Sequence, residues 1–136
     1  EEVMDAVTEE NLDDGIKFIK DFAKKSGSII AITGAIDLVS DGDKCYVIRN
    51  GRSEMGKITG TGCQLSGMIT AFIVANPENK CESVAAAVCA MGLAGEIAWS
   101  RMQEGDGNAT YRNRIIDAIY NMDKDTLEKK ANYEIR

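Results

Sequence analysis

The spacing of hydrophobic positions changes several times along the chain, and each change marks an element. Over about residues 9–25, Leu12, Ile16, Ile19, Phe22 and Ala23 recur at helical spacing, with acids early and lysines late. That order suits the helix dipole, so the stretch reads as an amphipathic helix, ended by Ser26-Gly27. Ile29-Ile30-Ala31-Ile32 then forms an unbroken apolar run within 28–33, the pattern of a central parallel strand buried on both faces. Gly34 breaks it. Residues 37–40 and 44–49 read as two strands joined by Asp41-Gly42-Asp43, a hairpin signal. Asn50-Gly51 is a second turn, leading into an expected short strand near 55–58.

From Thr61 onward the pattern is helical. One helix carries Leu65, Met68, Ile69, Phe72 and Ile73 on its apolar face and runs to about Ala75, before Asn76-Pro77. A second, over about 82–102, is rich in alanine and glycine, among them Ala85, Ala86, Ala90, Gly92, Ala94, Gly95 and Ala98. Small side chains let neighbouring backbones approach, so this helix reads as closely packed core, with a thin wall beside a nucleotide base as the other reading. Trp99 and Met102 read as core on the same helix. Further helices are expected over about 109–122 and 125–131. No repeat, low-complexity tract or linker divides the chain.

Composition narrows the function. A chain of 136 residues with 44% hydrophobic content suffices for one compact domain. Its net charge of −6 argues against nucleic acid or an anionic membrane as partner, since both favour a basic face. The apolar runs read as too short and too glycine-broken to span a bilayer. The absence of histidine rules out Cys/His zinc sites and Ser-His-Asp catalysis built from this chain. Cys45, Cys63, Cys81 and Cys89 form no C-x-x-C pair, which points to a reducing, cytoplasmic setting. The opening Glu1-Glu2-Val3 has neither an initiating methionine nor a signal peptide's basic start.

The chemistry concentrates in Lys57-Ile58-Thr59-Gly60-Thr61-Gly62-Cys63-Gln64-Leu65-Ser66-Gly67. Two glycines bracket a threonine, a thiol follows, and a helix begins. A glycine turn opening a helix leaves backbone N–H groups unpaired at the positive end of the dipole, so Thr61, Gly62 and Cys63 make a candidate anion hole for a phosphorylated ligand. The segment is neither a Walker loop nor the dinucleotide fingerprint. A plain strand-to-helix turn with Thr61 as N-cap fits the same residues. Cys63 stands where a thiolate is favoured and a proton can be accepted, or else is a small inert residue starting a helix. Asp37 and Asp41 flank turns and read as solvated rather than as metal ligands. Arg49 and Arg52 read as exposed charges.

Three blocks together resemble a known family. They are Ala31-Ile32-Thr33-Gly34-Ala35-Ile36-Asp37-Leu38-Val39-Ser40-Asp41-Gly42, then Thr59-Gly60-Thr61-Gly62-Cys63, then Gly105-Asp106-Gly107-Asn108-Ala109-Thr110-Tyr111-Arg112 with the helix after it. In order and spacing they are similar to the hydroxyethylthiazole kinases, members of the ribokinase-like fold. The closing block departs from the family's usual Gly-Pro-Gly-Ser/Thr-Phe. Cys63 is the specific mark, because related sugar and pyrimidine kinases usually carry aspartate there.

The resemblance implies an α/β fold, with residues 1–136 as the C-terminal portion of a single kinase domain of three-layer α/β/α build. The N-terminal half would be a further segment of the same protein. It implies ATP- and Mg²⁺-dependent phosphorylation of the hydroxyethyl group of 4-methyl-5-(2-hydroxyethyl)thiazole in thiamine salvage, by a homotrimer with sites at subunit interfaces. By position, Gly60 would contact the thiazole alcohol, Thr33 would contact ATP, and Cys63 would be the base. The ATP-holding arginine and the metal-binding acids would lie upstream, so no metal ligand is expected here. The alternatives are a ribokinase-like kinase for another small alcohol, such as a hydroxymethylpyrimidine, and a non-catalytic nucleotide-binding fragment.

Overall fold

The computed structural model describes residues 6–136; the opening Glu1-Glu2-Val3 lies outside them. The first helix, α1, spans Leu12–Ser26 and buries Leu12, Gly15, Ile16, Ile19 and Ala23. Asp13 and Asp14 lie in its first turn and Lys24 and Lys25 in its last, and Gly27 closes it in the left-handed conformation. Three strands follow, β1 (Ile30–Ile32), β2 (Asp37–Ser40) and β3 (Cys45–Ile48). A fourth, β4 (Tyr133–Ile135), comes from the end of the chain. The sheet order is β1-β2-β3-β4, and every neighbouring pair is antiparallel.

The hairpin between β2 and β3 forms as its sequence predicts. Asp41 Oδ1 accepts the amides of Asp43 at 3.0 Å and Lys44 at 3.1 Å. Ser40, fully buried, donates its hydroxyl to the Lys44 carbonyl at 2.7 Å and accepts the Gly42 amide at 3.0 Å.

Alternation along these strands sends side chains to two faces. Leu38, Cys45 and Val47 pack with Leu12, Ile16 and Ile19 of α1. Val39, Tyr46 and Ile48 pack with Cys81, Val84, Ala85, Val88 and Cys89 on the long helix α3 (Lys80–Ser100). The result is a three-layer α/β/α arrangement. Beside α3 lie α2 (Thr61–Ala75) and α4 (Asn108–Tyr120), with α5 (Lys124–Lys130) leading into β4. Tyr111, Ile115 and Ala118 of α4 fill against Met91, Ala94 and Ala98 of α3. The small residues of α3 are therefore packing residues. By length and composition α3 is also apolar enough to cross a membrane, contrary to the sequence reading, but most of it is buried in this core.

Two strand expectations are corrected. The segment near 55–58 is not a strand; Ser53–Lys57 is a 3₁₀ turn. The outer edge of β3 pairs with β4, and Ile58 of this segment buries among α3 and α4 instead. The run Ile29–Ile32 is not buried on both faces. Among the described residues β1 is an edge strand, with Ala31 exposed and Ile30 and Ile32 half-buried.

Candidate phosphoryl-transfer site

The turn that opens α2 is the centre of the site. Gly60, at φ 98° and ψ 0°, is the N-cap, a left-handed conformation that favours glycine. No side chain caps the helix, so Thr61 is the first helical residue and not the N-cap. The first intrahelical bond runs from the Gln64 amide to the Gly60 carbonyl at 3.0 Å. The amides of Thr61, Gly62 and Cys63 precede it and have no intrahelical acceptor. The first turn also holds no acidic residue, as in α4, whereas α1, α3 and α5 each place a carboxylate there. The positive end of α2 is left open to an anion.

Cys63 is the one exposed thiol of the four. Cys45, Cys81 and Cys89 are buried, and burial pushes the pKa of each thiol up to about 11, so they stay protonated near neutral pH. Gly62 has open space in front of the position a β-carbon would take. Next to Cys63, the side-chain oxygen of Gln64 is buried without a hydrogen-bond partner among the described residues.

Thr33 stands exposed just past β1. The loop after it is closed by Asp37, whose Oδ1 accepts the Gly34 amide at 2.8 Å, and not by the threonine hydroxyl. Asp37 is half-buried rather than solvated, and desolvation pushes its carboxyl up to about 6. Asp41 is exposed but engaged in its own turn. Thr33 and the α2 turn are separate in sequence but share one end of the sheet. Ile32 pairs with Leu38, Asp37 with Ile48, and the chain leaves β3 there toward Gly51 and the C-terminal half of α3. Helix α2 runs antiparallel to α3 through the short link 76–79, which brings its N-terminus to that end as well.

The closing block reaches the same place. Asn108, opening α4, donates its side-chain amide to the Lys57 carbonyl at 3.1 Å. Arg49 and Arg52 are occupied elsewhere. Arg49 pairs with Glu9 at 2.7 Å and Glu134 at 3.0 Å. Arg52 pairs with Glu54 at 3.1 Å and lies over the Trp99 ring, 5.2 Å from its centroid. Among the described residues no three of Asp, Glu, Cys or His gather as metal ligands would.

Two contributors escape the sequence reading: Asn50, buried, and Glu96, which accepts the Gly51 amide at 2.8 Å. An acid within the small-residue stretch of α3 is the only signal for the second.

The profile of the hydroxyethylthiazole kinase family matches residues 3–125. A hydroxyethylthiazole kinase of Clostridium acetobutylicum is 51% identical over 133 residues, spanning 98% of this chain and 49% of the relative. Hydroxyethylthiazole kinase 2 of Clostridium botulinum (strain 657 / Type Ba4) is 39% identical over 126 residues, spanning 93% of this chain and 45% of the relative. The chain thus spans about half the length of the curated relatives it matches. The solved hydroxyethylthiazole kinase protein from Pyrococcus horikoshii OT3 superposes with a TM-score of 0.83 at 24% identity, over 93% of this chain and 48% of that one, and carries the fold. On the match of its sequence across nearly its whole length, the chain belongs to the hydroxyethylthiazole kinase family.

Proposed function

We propose that this chain supplies the phosphoryl-transfer end of an ATP-dependent kinase for the hydroxyethyl group of 4-methyl-5-(2-hydroxyethyl)thiazole, acting in thiamine salvage. The observation that carries the reading is the uncapped, acid-free N-terminus of α2 with an exposed thiol in its first turn. Phosphoryl transfer asks for in-line placement and neutralised oxygens more than for covalent chemistry. The amides of Thr61, Gly62 and Cys63 meet the second demand, aimed where charge sits on the transferring group. Gly60 lies against the alcohol, and Thr33 touches ATP. The Cys63 thiolate accepts the alcohol proton as the alcohol oxygen bonds to the γ-phosphorus and the β–γ bridging oxygen leaves with ADP.

The remaining parts belong to an N-terminal half of the same protein, of which residues 1–136 form the C-terminal portion. Magnesium and the arginine that holds ATP are assigned to that half. Three features support this. The outer edge of β1 has no strand beside it among the described residues. Helix α2, apolar along its length, has no fully buried residue. Cys63 is exposed, although a transfer site needs water excluded. In the family's pattern the complete enzyme is a cytoplasmic homotrimer.

The test is a substrate panel. The natural protein carrying this chain, given ATP and Mg²⁺, should phosphorylate hydroxyethylthiazole well ahead of hydroxymethylpyrimidine or ribose, with the phosphate ester identified by mass. A preference for the pyrimidine alcohol would overturn the thiazole assignment. ATP binding without turnover would favour a non-catalytic role.

A further inference from the structure

The turn before α2 lies at the end of a segment that has no sheet or long helix of its own to hold it. Residues 50–60 leave β3, make the 3₁₀ turn Ser53–Lys57 and end at Gly60. Their place is fixed from outside, and the fixing groups converge on one turn of α3. Glu96 Oε1 accepts the Gly51 amide at 2.8 Å and the Asn50 side-chain amide at 3.2 Å. Asn50, 7% exposed, also donates to the Lys130 carbonyl at 3.1 Å and accepts the Asn132 amide at 2.7 Å, tying in the end of α5 and the approach to β4. Two close approaches lie beside Glu96. A β-carbon on Gly92 would come within 2.6 Å of the Asn50 carbonyl oxygen, and one on Gly95 would overlap the Met55 sulfur. At the far end Asn108 holds the Lys57 carbonyl.

We propose that Glu96 is a positioning residue. By holding Gly51 and Asn50 it seats the 50–60 segment on the Gly92–Gly95 surface of α3, and so sets where Gly60 and the first-turn amides of α2 stand. Its side chain touches neither the thiol nor the amides; it acts through the backbone between Gly51 and Gly60. The inference rests on the kinase reading for its functional consequence and on the hydrogen bonds alone for its structural one. A shift of about 1 Å in a positioned group can cost roughly 10²-fold in rate, which is the scale expected for an unseated segment.

The test uses the natural protein carrying this chain, as wild type, Glu96→Ala, Glu96→Gln and Gly92→Ala. In Glu96→Ala, amide exchange in peptides covering 51–58 should quicken about tenfold, the effect of a lost hydrogen bond of ordinary strength, while peptides of β2, β3 and the first half of α3 stay as in wild type. Glu96→Gln keeps an acceptor oxygen and should remain close to wild type. Gly92→Ala pushes on the same segment from a different atom and should reproduce the Glu96→Ala pattern. Turnover should follow, with kcat on hydroxyethylthiazole down by about 10²-fold in Glu96→Ala and KM for ATP within about twofold. Unchanged exchange at 51–58, exchange quickened everywhere alike, or full kcat despite a loosened segment would each overturn the proposal. A wild type with no turnover on any alcohol would sink the kinase reading instead, and the exchange pattern would still decide whether Glu96 seats the segment.

Discussion

Gly60 and Gly62 are glycines for different reasons. At φ 98°, Gly60 makes a turn that other residues enter only with strain, and its backbone alone explains it. Gly62 sits in helical backbone with open space before it, so nothing among the described residues demands glycine there. The space is where the ligand is proposed to lie. Gly62→Val should therefore leave the far-ultraviolet helical signal intact while lowering turnover by more than about 10²-fold, the scale of losing one charge-stabilising donor. Activity at the wild-type level would reduce the two glycines to a turn.

Asp37 makes a second prediction at the same scale. Burial holds its carboxyl up at about 6, so between about pH 4 and 6 the native state binds more protons than the unfolded chain. Stability contributed at this site therefore falls as pH rises through that window, by about 3 kcal/mol for a shift of this size. An asparagine in its place would keep an acceptor for the Gly34 amide without the charge. The difference in unfolding free energy between Asp37→Asn and wild type should grow in the variant's favour from pH 4 to 6 and level off above. A difference independent of pH would contradict the assigned cause. The sequence alone reads Asp37 as solvated because acids flanking turns usually are; only the packing of the sheet end reveals otherwise.

Among the elements, legibility follows how locally each one is determined. The helices α1, α2, α4 and α5 are readable from periodicity, charge order and stop signals such as Ser26-Gly27 and Asn76-Pro77, and the hairpin from Asp41-Gly42-Asp43. What depends on remote partners is not. β4 is three residues long, too short for alternation to announce it; Tyr133 and Ile135 share the sheet face of Ile48 and Tyr46, and Glu134 on the other face pairs with Arg49 and Arg136. Residues 55–58 leave the sheet, and Met55 and Ile58 pack on α3 and α4, while β4 pairs with β3. The glycine turn at Gly60 is legible as chemistry, but its support by Asn50 and Glu96 is not, because hydrogen bonds across 45 or more positions leave no local trace. Packing of α4 on α3 is the firmest interface near the site. Ile115 is fully buried there, and Ile115→Ala should cost about 2–5 kcal/mol in denaturant unfolding of the natural protein. A cost below about 1 kcal/mol would mean that this interface relaxes easily.

At the scale of the molecule, the described residues make three layers whose outer surfaces remain apolar in places. The Phe18 and Phe22 rings lie parallel on α1 with centroids 6.1 Å apart, Phe22 is 49% exposed, and Val74 on α2 is 74% exposed. Together with the edge of β1, which has no strand beside it among the described residues, these surfaces are what the proposed N-terminal half would cover. Residues 1–136 expressed alone should accordingly aggregate or bind ATP weakly. A monodisperse, cooperatively unfolding chain with full kinase activity would show the three layers to be sufficient. The chain's central assignment is that the first turn of α2 is where a phosphoryl group is transferred and Cys63 is its base. The most direct measurement is kcat for hydroxyethylthiazole in the natural protein with Cys63→Ala and Cys63→Asp. Alanine should cost about 10²–10⁴-fold with little change in KM for ATP, and aspartate should recover part of the loss as an alternative proton acceptor. Wild-type kcat in Cys63→Ala, with Cys63→Asp the more damaged of the two, would contradict the assignment and leave the thiol a structural residue.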